Sequence, residues 1–227
     1  MELQAKAVTR QYFRQSKGSN VFTAVHETDL TVSGGILTEI TGWSGSGKST
    51  LLHMLAGLLQ PTAGQVLLDG TDLYRLPDAK LAKIRNQKIG IVPQGQTALR
   101  ALTVLENVVL PAQFYGSAGN PEKRAHMLLE KVGIAGLADV RPDELSGGER
   151  RRLAIARALI MQPGVLLADE PTADLDDENT RMVLRLLRQC ADDGLGVLLV
   201  THEAEAAAYA DQVLHMDAGL VLSNAKK

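Results

Sequence analysis

Apolar and polar positions divide the chain into short apolar strands and amphipathic helices. Residues 3–40 mix β-branched and apolar side chains with turn formers, among them Lys17-Gly18-Ser19-Asn20, and read as antiparallel strands. Residues 36–41 form a strand running into a glycine-rich turn, and 48–57 then read as a helix closed by glycine. Short strands are expected at 65–69 and 89–93, with a helical stretch, 77–88, between them. Residues 103–114 and 121–132 have helical spacing; in the second, Ala125, Leu128, Leu129 and Val132 share one face and Pro121 suits the first turn. From Ser146 onward the pattern alternates: helix to 161, strand 165–168, helix 178–191, strand 196–201, then a short helix. Apolar strands alternating with helices predict an α/β fold with a mostly parallel sheet flanked by helices on both faces. The N-terminal strands predict an antiparallel β subdomain beside that sheet. The helical middle, about 95–152, predicts a lobe inserted into one domain spanning 1–227.

Gly42-Trp43-Ser44-Gly45-Ser46-Gly47-Lys48-Ser49-Thr50 is a complete Walker A pattern between a strand and a helix, which makes the fold class a P-loop NTPase. Glycines let the backbone wrap tightly, so that its N–H groups and the helix N-terminus point at phosphate oxygens. Lys48 is expected to reach the β- and γ-phosphates of ATP and the Ser49 hydroxyl to ligate Mg²⁺. Trp43 fills a spacer position where only the backbone matters. Val165-Leu166-Leu167-Ala168-Asp169-Glu170 is an apolar strand ending in two acids, which places both at the ligand edge of the sheet. Alone, such acids are more often helix caps. Beside a full Walker A, Asp169 suits the Mg²⁺ site and Glu170 suits orienting or deprotonating the attacking water. No Asn-Lys-x-Asp motif is present, which argues against a GTPase.

The 227 residues are 45% hydrophobic and 22% charged, ample material for a core. A net charge of −2 argues against general attraction to nucleic acid. The single cysteine, Cys190, excludes an internal disulfide and fits a reducing compartment. No basic-then-apolar leader opens the sequence, and the most apolar run, 51–59, is interrupted by His53 and too short to span a bilayer. Action at a membrane would therefore need a partner that holds the chain there.

Leu145-Ser146-Gly147-Gly148-Glu149 immediately precedes a predicted helix, and a serine with two glycines at a helix N-terminus makes a second anion-binding turn. With this stretch the chain resembles the ABC ATPase family, whose signature motif it matches. The resemblance covers nearly the whole chain. It implies a Q-loop glutamine at Gln94 that also serves Mg²⁺, a D-loop at Ala173-Asp174-Leu175-Asp176, a switch histidine at His202, and an adenine-stacking aromatic at Tyr12, with Phe13 as the alternative. It further implies that two copies pair head to tail around ATP, so that Ser146, Gly147 and Gly148 of one copy face the Walker A of the other. In that arrangement His202 contacts the γ-phosphate and Asp176 helps relay state across the interface. The family resemblance also implies an integral membrane permease as partner and a cytoplasmic position on the inner face of the cell membrane.

Within the family, Leu102-Thr103-Val104-Leu105-Glu106-Asn107-Val108, Ala168-Asp169-Glu170-Pro171-Thr172 and 44–52 resemble the lipoprotein-release, macrolide-efflux and FtsE-like group, which implies export or substrate extraction. A mechanical regulator of a membrane protein would use the same chemistry and is the alternative. ABC ATPases of DNA repair or translation usually carry a coiled-coil insertion, cysteine clusters or a second cassette, none of which is present. The signature continues Glu149-Arg150-Arg151-Arg152 where relatives often carry glutamines, and this run reads as a solvated helix face rather than a nucleic-acid patch. The apolar stretch 95–106, after Gln94, reads as the groove that receives the permease.

Overall fold

The computed structural model describes residues 1–13, 21–95, 97–116 and 119–223; the turn expected at Lys17-Gly18-Ser19-Asn20 lies outside them, as does Gln96 within the expected groove. Strands β1 (Glu2–Phe13) and β2 (Val21–Ser33) pair antiparallel, as their β-branched composition predicts. Strand β3 (Leu37–Thr41) leads through the glycine loop into helix α1 (Lys48–Leu55). Strand β4 (Ala63–Leu68) pairs antiparallel with β1, and the two-residue β5 (Thr71–Asp72) completes a sheet of order β2-β1-β4-β5. Helix α2 (Asp78–Lys88) and strand β6 (Ile89–Val92) follow.

The helical middle holds α3 (Val104–Tyr115), opened by a Thr103–Glu106 capping box, and α4 (Pro121–Lys131), capped by Asn120 with proline in its first turn. The expected apolar face of α4 is buried: Ala125 and Leu129 are 0% exposed. Then come α5 (Gly147–Leu159), β7 (Val165–Asp169), α6 (Asp177–Asp192), β8 (Gly196–Val200), β9 (Gln212–Asp217) and β10 (Leu220–Ser223). The short helix expected after 201 is a 3-10 turn, Ala204–Ala208. The second sheet has the order β10-β9-β3-β8-β7-β6, with only β10 antiparallel.

The β9–β10 hairpin was not expected from the sequence. Its turn is Ala218-Gly219, with φ of 44° and 84°, so a left-handed turn is built without the Asn-Gly or Asp-Gly pair that usually announces one. Helix α1 is wedged between the two sheets, where Leu51, Leu52, Met54 and Leu55 share a core with Leu3, Val25, Val66, Leu198 and Val200. The opposite face of the parallel sheet packs on α3 to α6 through residues such as Val108, Leu129, Ile155, Leu166, Leu184 and Leu199.

Register places the site. Ile40 of β3 lies opposite Val200 of β8, Asp169 of β7 lies opposite the same Val200, and Ala168 of β7 lies opposite Val92 of β6. Four neighbouring strands therefore end together. Their exits carry, in spatial order, the glycine loop, His202, the Asp169-Glu170 pair and Gln94.

One residue in the sheet interior conflicts with its surroundings. Glu39, at the centre of β3 and 1% exposed, lies opposite Leu199 and Val213, and its Oε2 has no hydrogen-bond partner among the described residues. Burial pushes its pKa up to about 7. Because the folded-state value is raised, the native protein retains a proton that the unfolded chain has already lost above its ordinary 4.5, and stability falls as pH rises through the window from 4.5 to about 7. Unfolding of Glu39→Gln against the parent, in urea at pH 5 and pH 8, is expected to show the parent losing about 2.5 kcal/mol relative to the variant across that interval. Parallel pH dependences would contradict this account of Glu39.

Candidate nucleotide-binding site

Residues 42–47 form a loop that only glycine permits at its tightest points. Gly42 and Gly47 have φ of 149° and 106°, and a Cβ on them would lie 2.1 Å from the Met216 carbonyl and 2.2 Å from the Ala24 carbonyl. Gly47 is also the N-cap of α1 and offers no side chain to the first-turn N–H groups, which are left facing the loop's concave side. Lys48 is 5% exposed, and its Nζ donates to the carbonyls of Gly42 at 2.7 Å and Trp43 at 3.0 Å, which fixes its charge across the loop. The Trp43 ring is 78% exposed, so only its backbone takes part. Ser46 is buried, and its Oγ has no partner among the described residues.

Ser49 Oγ donates to Asp169 Oδ1 at 2.9 Å. Burial raises the Asp169 pKa, and the Ser49 hydroxyl opposes that shift. His53, one turn along α1, brings its Nε2 within 3.8 Å of Asp169 Oδ2. Glu170 leaves the strand with φ of 46°, a strained left-handed conformation for a side-chain-bearing residue, held by its N–H donating to the Val200 carbonyl at 2.8 Å. That turn directs the carboxylate toward His202, whose Nδ1 lies 3.0 Å from Glu170 Oε2.

Ser49 and Glu170 line a cleft of about 230 Å³ together with Tyr12, Phe22, Lys48, Thr50 and Gln94, while Asp169 and His202 stand behind it through their contacts with Ser49 and Glu170. Tyr12 lines it, whereas Phe13, the next residue on an alternating strand, does not and is 79% exposed. The Arg10 guanidinium sits 4.7 Å from the Tyr12 ring centroid, holding that ring by a cation–π contact. Phe22 lies opposite Tyr12 in the β1–β2 register and adds a second aromatic to the same wall. The sequence shows Phe22 but not its partner, because register depends on the length and shape of the connection between the strands.

The signature turn is built elsewhere. Ser146 caps α5 in a capping box with Glu149: the Ser146 N–H donates to Glu149 Oε2 at 2.7 Å, and that bond holds the Glu149 pKa below its ordinary value. Ser146, Gly147 and Gly148 do not line the cleft of their own chain; Gly147 lines a separate cavity of about 150 Å³ with Ala173 and Asp174. Gly148 lies against Asn179, since a Cβ on it would be 2.1 Å from Asn179 Oδ1. The N–H of Asn179 donates to the exposed Asp176 at 2.8 Å, and that bond lowers the Asp176 pKa. Arg152 Nη1 donates to Asn179 Oδ1 at 3.1 Å. Asn179, invisible as a site residue in the sequence, thus joins the signature helix to the D-loop.

The basic run is not a solvated face. Arg151 and Arg152 are each 8% exposed, because carbonyl and amide acceptors from other segments take up their guanidinium groups. The expected apolar groove also divides: Val104 is 0% exposed and belongs to the core, whereas Leu99 is 48% exposed.

The family description "ABC transporter" matches residues 25–173. The lipoprotein-releasing system ATP-binding protein LolD of Shewanella sp. (strain MR-4) is 44% identical over 219 residues, covering 96% of this chain and 94% of that protein. The macrolide export ATP-binding/permease protein MacB of Chlorobaculum tepidum is 42% identical over 210 residues, 92% of this chain, which spans 32% of that longer relative. Among solved structures, the dimeric structure of MJ0796, a bacterial ABC transporter cassette, superposes with a TM-score of 0.87 at 35% identity, covering 97% of this chain and 98% of that one. A post-hydrolysis state of the same cassette, bound to ADP and Pi, matches equally well.

Proposed function

This chain belongs to the ABC transporter family and is an ATP hydrolase of its P-loop fold, and from that premise we propose that it is the subunit that energises a separately encoded membrane permease, in export or in extraction of substrate. The observation that carries this reading is a cleft at the ends of neighbouring parallel strands, lined by Lys48, Gln94 and Glu170, with His202 3.0 Å from Glu170.

In this reading the adenine of ATP lies against Tyr12, and the N–H groups of residues 42–50 together with Lys48 hold the phosphates. Ser49, Asp169 and Gln94 are the residues that would hold Mg²⁺. The donor set fits: Ser49 and Asp169 are oxygen donors already 2.9 Å apart. No group of three acidic, histidine or cysteine side chains suited to a metal occurs among the described residues, and Mg²⁺ is ordinarily held by one or two carboxylates and the substrate's own phosphates. An ion held there would supply positive charge against the phosphates. Glu170 accepts the proton of the attacking water as the new oxygen–phosphorus bond forms and the bond to the β–γ bridging oxygen breaks. His202 orients Glu170 and reaches the γ-phosphate. Because the signature turn stands outside its own cleft, Ser146, Gly147 and Gly148 serve the cleft of a second copy in an ATP-sandwiched dimer, with Asp176 beside the interface.

No helix among the described residues is long and apolar enough to cross a membrane. In this reading a permease partner is the anchor, and the chain acts as one domain, 1–227 with its inserted lobe, from the inner face of the cell membrane. Among the described residues of 95–106, Leu99 is the exposed large apolar side chain. The buried Asn107 fixes its backbone, accepting from the Leu99 N–H at 2.8 Å and donating to the Leu99 carbonyl at 3.0 Å. Leu99→Glu is expected to abolish co-purification with the membrane partner. The isolated subunit's ATPase rate should stay within about twofold, as for a typical surface substitution. Equal loss of both would remove the coupling role of this stretch.

A further inference from the structure

Helix α5 carries Arg151 on the face turned toward the loop that follows β6. Its Nη1 donates to the carbonyls of Pro93 and Gly95, both at 3.3 Å. Those carbonyls flank Gln94, whose side chain lines the nucleotide cleft. Farther along the same helix, Arg157 donates to the Thr97 carbonyl at 2.8 Å and to its hydroxyl at 2.5 Å. The segment after β6 is thus tied to α5 at two points. Arg151 also feels the charges of Asp174 in the D-loop and of Glu170, which favour its ionised form against the burial that lowers its pKa. A guanidinium removed from water is costly unless its partners are well placed. Neutral carbonyls are modest compensation, so the side chain at this position does more than fill volume.

We propose that Arg151 is a positioning residue for Gln94: it fixes the backbone on both sides of Gln94 to the helix that carries the signature turn, so that any movement of that helix moves Gln94 relative to the cleft of its own subunit. This inference rests on the reading of Gln94 as a residue of the nucleotide site. In that arrangement the turn 146–148, which faces the partner copy's ATP, and Gln94, which faces its own, are ends of one rigid connection.

Steady-state ATP hydrolysis by the parent, Gln94→Ala, Arg151→Ala and the double variant tests this, with thermal unfolding as a check that each is folded. Arg151→Ala is expected to lower kcat about ten- to hundredfold, the scale of an ångström-sized misplacement, with KM for ATP little changed. The double variant is expected to be no slower than Gln94→Ala alone, because residues acting through one another are not additive. Losses that multiply would overturn the clamp and leave Gln94 in its role. A Gln94→Ala protein as fast as the parent would remove both. Arg151→Lys takes the place of the alanine variant in the same cycle if the latter does not fold. It keeps the charge as a single point donor without the planar fork, so a smaller loss that disappears in the Gln94→Ala background is expected, and a loss that persists there would overturn the proposal.

Discussion

Glu170→Gln is expected to bind ATP as the parent does and to hydrolyse it about 10²–10⁴-fold more slowly, the range a positioned general base contributes. The amide preserves the shape of the side chain, and the strained backbone at φ 46° is set by the hydrogen bond to Val200 rather than by the carboxylate. What disappears is the acceptor for the water's proton, together with the charge that His202 faces at 3.0 Å. In the proposed site, binding rests on Lys48, Ser49 and the loop amides, none of which the substitution touches. Phosphate release measured beside ATP retention on the same preparation checks this. Loss of ATP binding in step with hydrolysis would show that Glu170 serves the fold of the site rather than the chemistry.

Lys48→Ala fails at an earlier step. The ammonium is 5% exposed and held across the loop by the carbonyls of Gly42 and Trp43. Its removal takes away the one side-chain cation that lines the cleft among the described residues, and leaves those carbonyls without their donor. Truncating one partner of a buried charged pair typically costs about 2–5 kcal/mol, which corresponds to a roughly 30- to 5000-fold weaker Kd for ATP. Titration calorimetry reads this directly. An unchanged Kd with a lower kcat would place Lys48 in the transition state alone, and the loop would then hold ATP by its backbone.

Much of this site is legible in the chain because its parts are local. A glycine loop between a strand and a helix, an apolar strand ending in Asp169-Glu170 and a serine cap before Gly147-Gly148 each keep their chemistry within a few residues, and each element lies where periodicity puts it. What depends on distant pairing is not legible. Phe22 reaches the cleft only through its register with Tyr12. Arg151 and Arg152 look like surface charge until the carbonyls of Pro93 and Gly95 and the amide of Asn179 are seen beside them. Strand β9 is half-buried and closes on β10 through an Ala-Gly turn, so neither alternation nor turn chemistry marked it. Glu39 lies in the strand expected at 36–41, but its burial follows from pairing with both β8 and β9, and β9 was not marked in the sequence.

The central claim is that the cleft is completed by the signature turn of a second copy. Size-exclusion chromatography with light scattering on Glu170→Gln, with and without ATP, tests it most directly, because this variant holds the nucleotide without consuming it. The account predicts a mass of one subunit without ATP and of two subunits with it, and reversion to one subunit when Ser146→Arg is added and obstructs the signature turn. A Glu170→Gln protein that binds ATP and still elutes as a single subunit would contradict it.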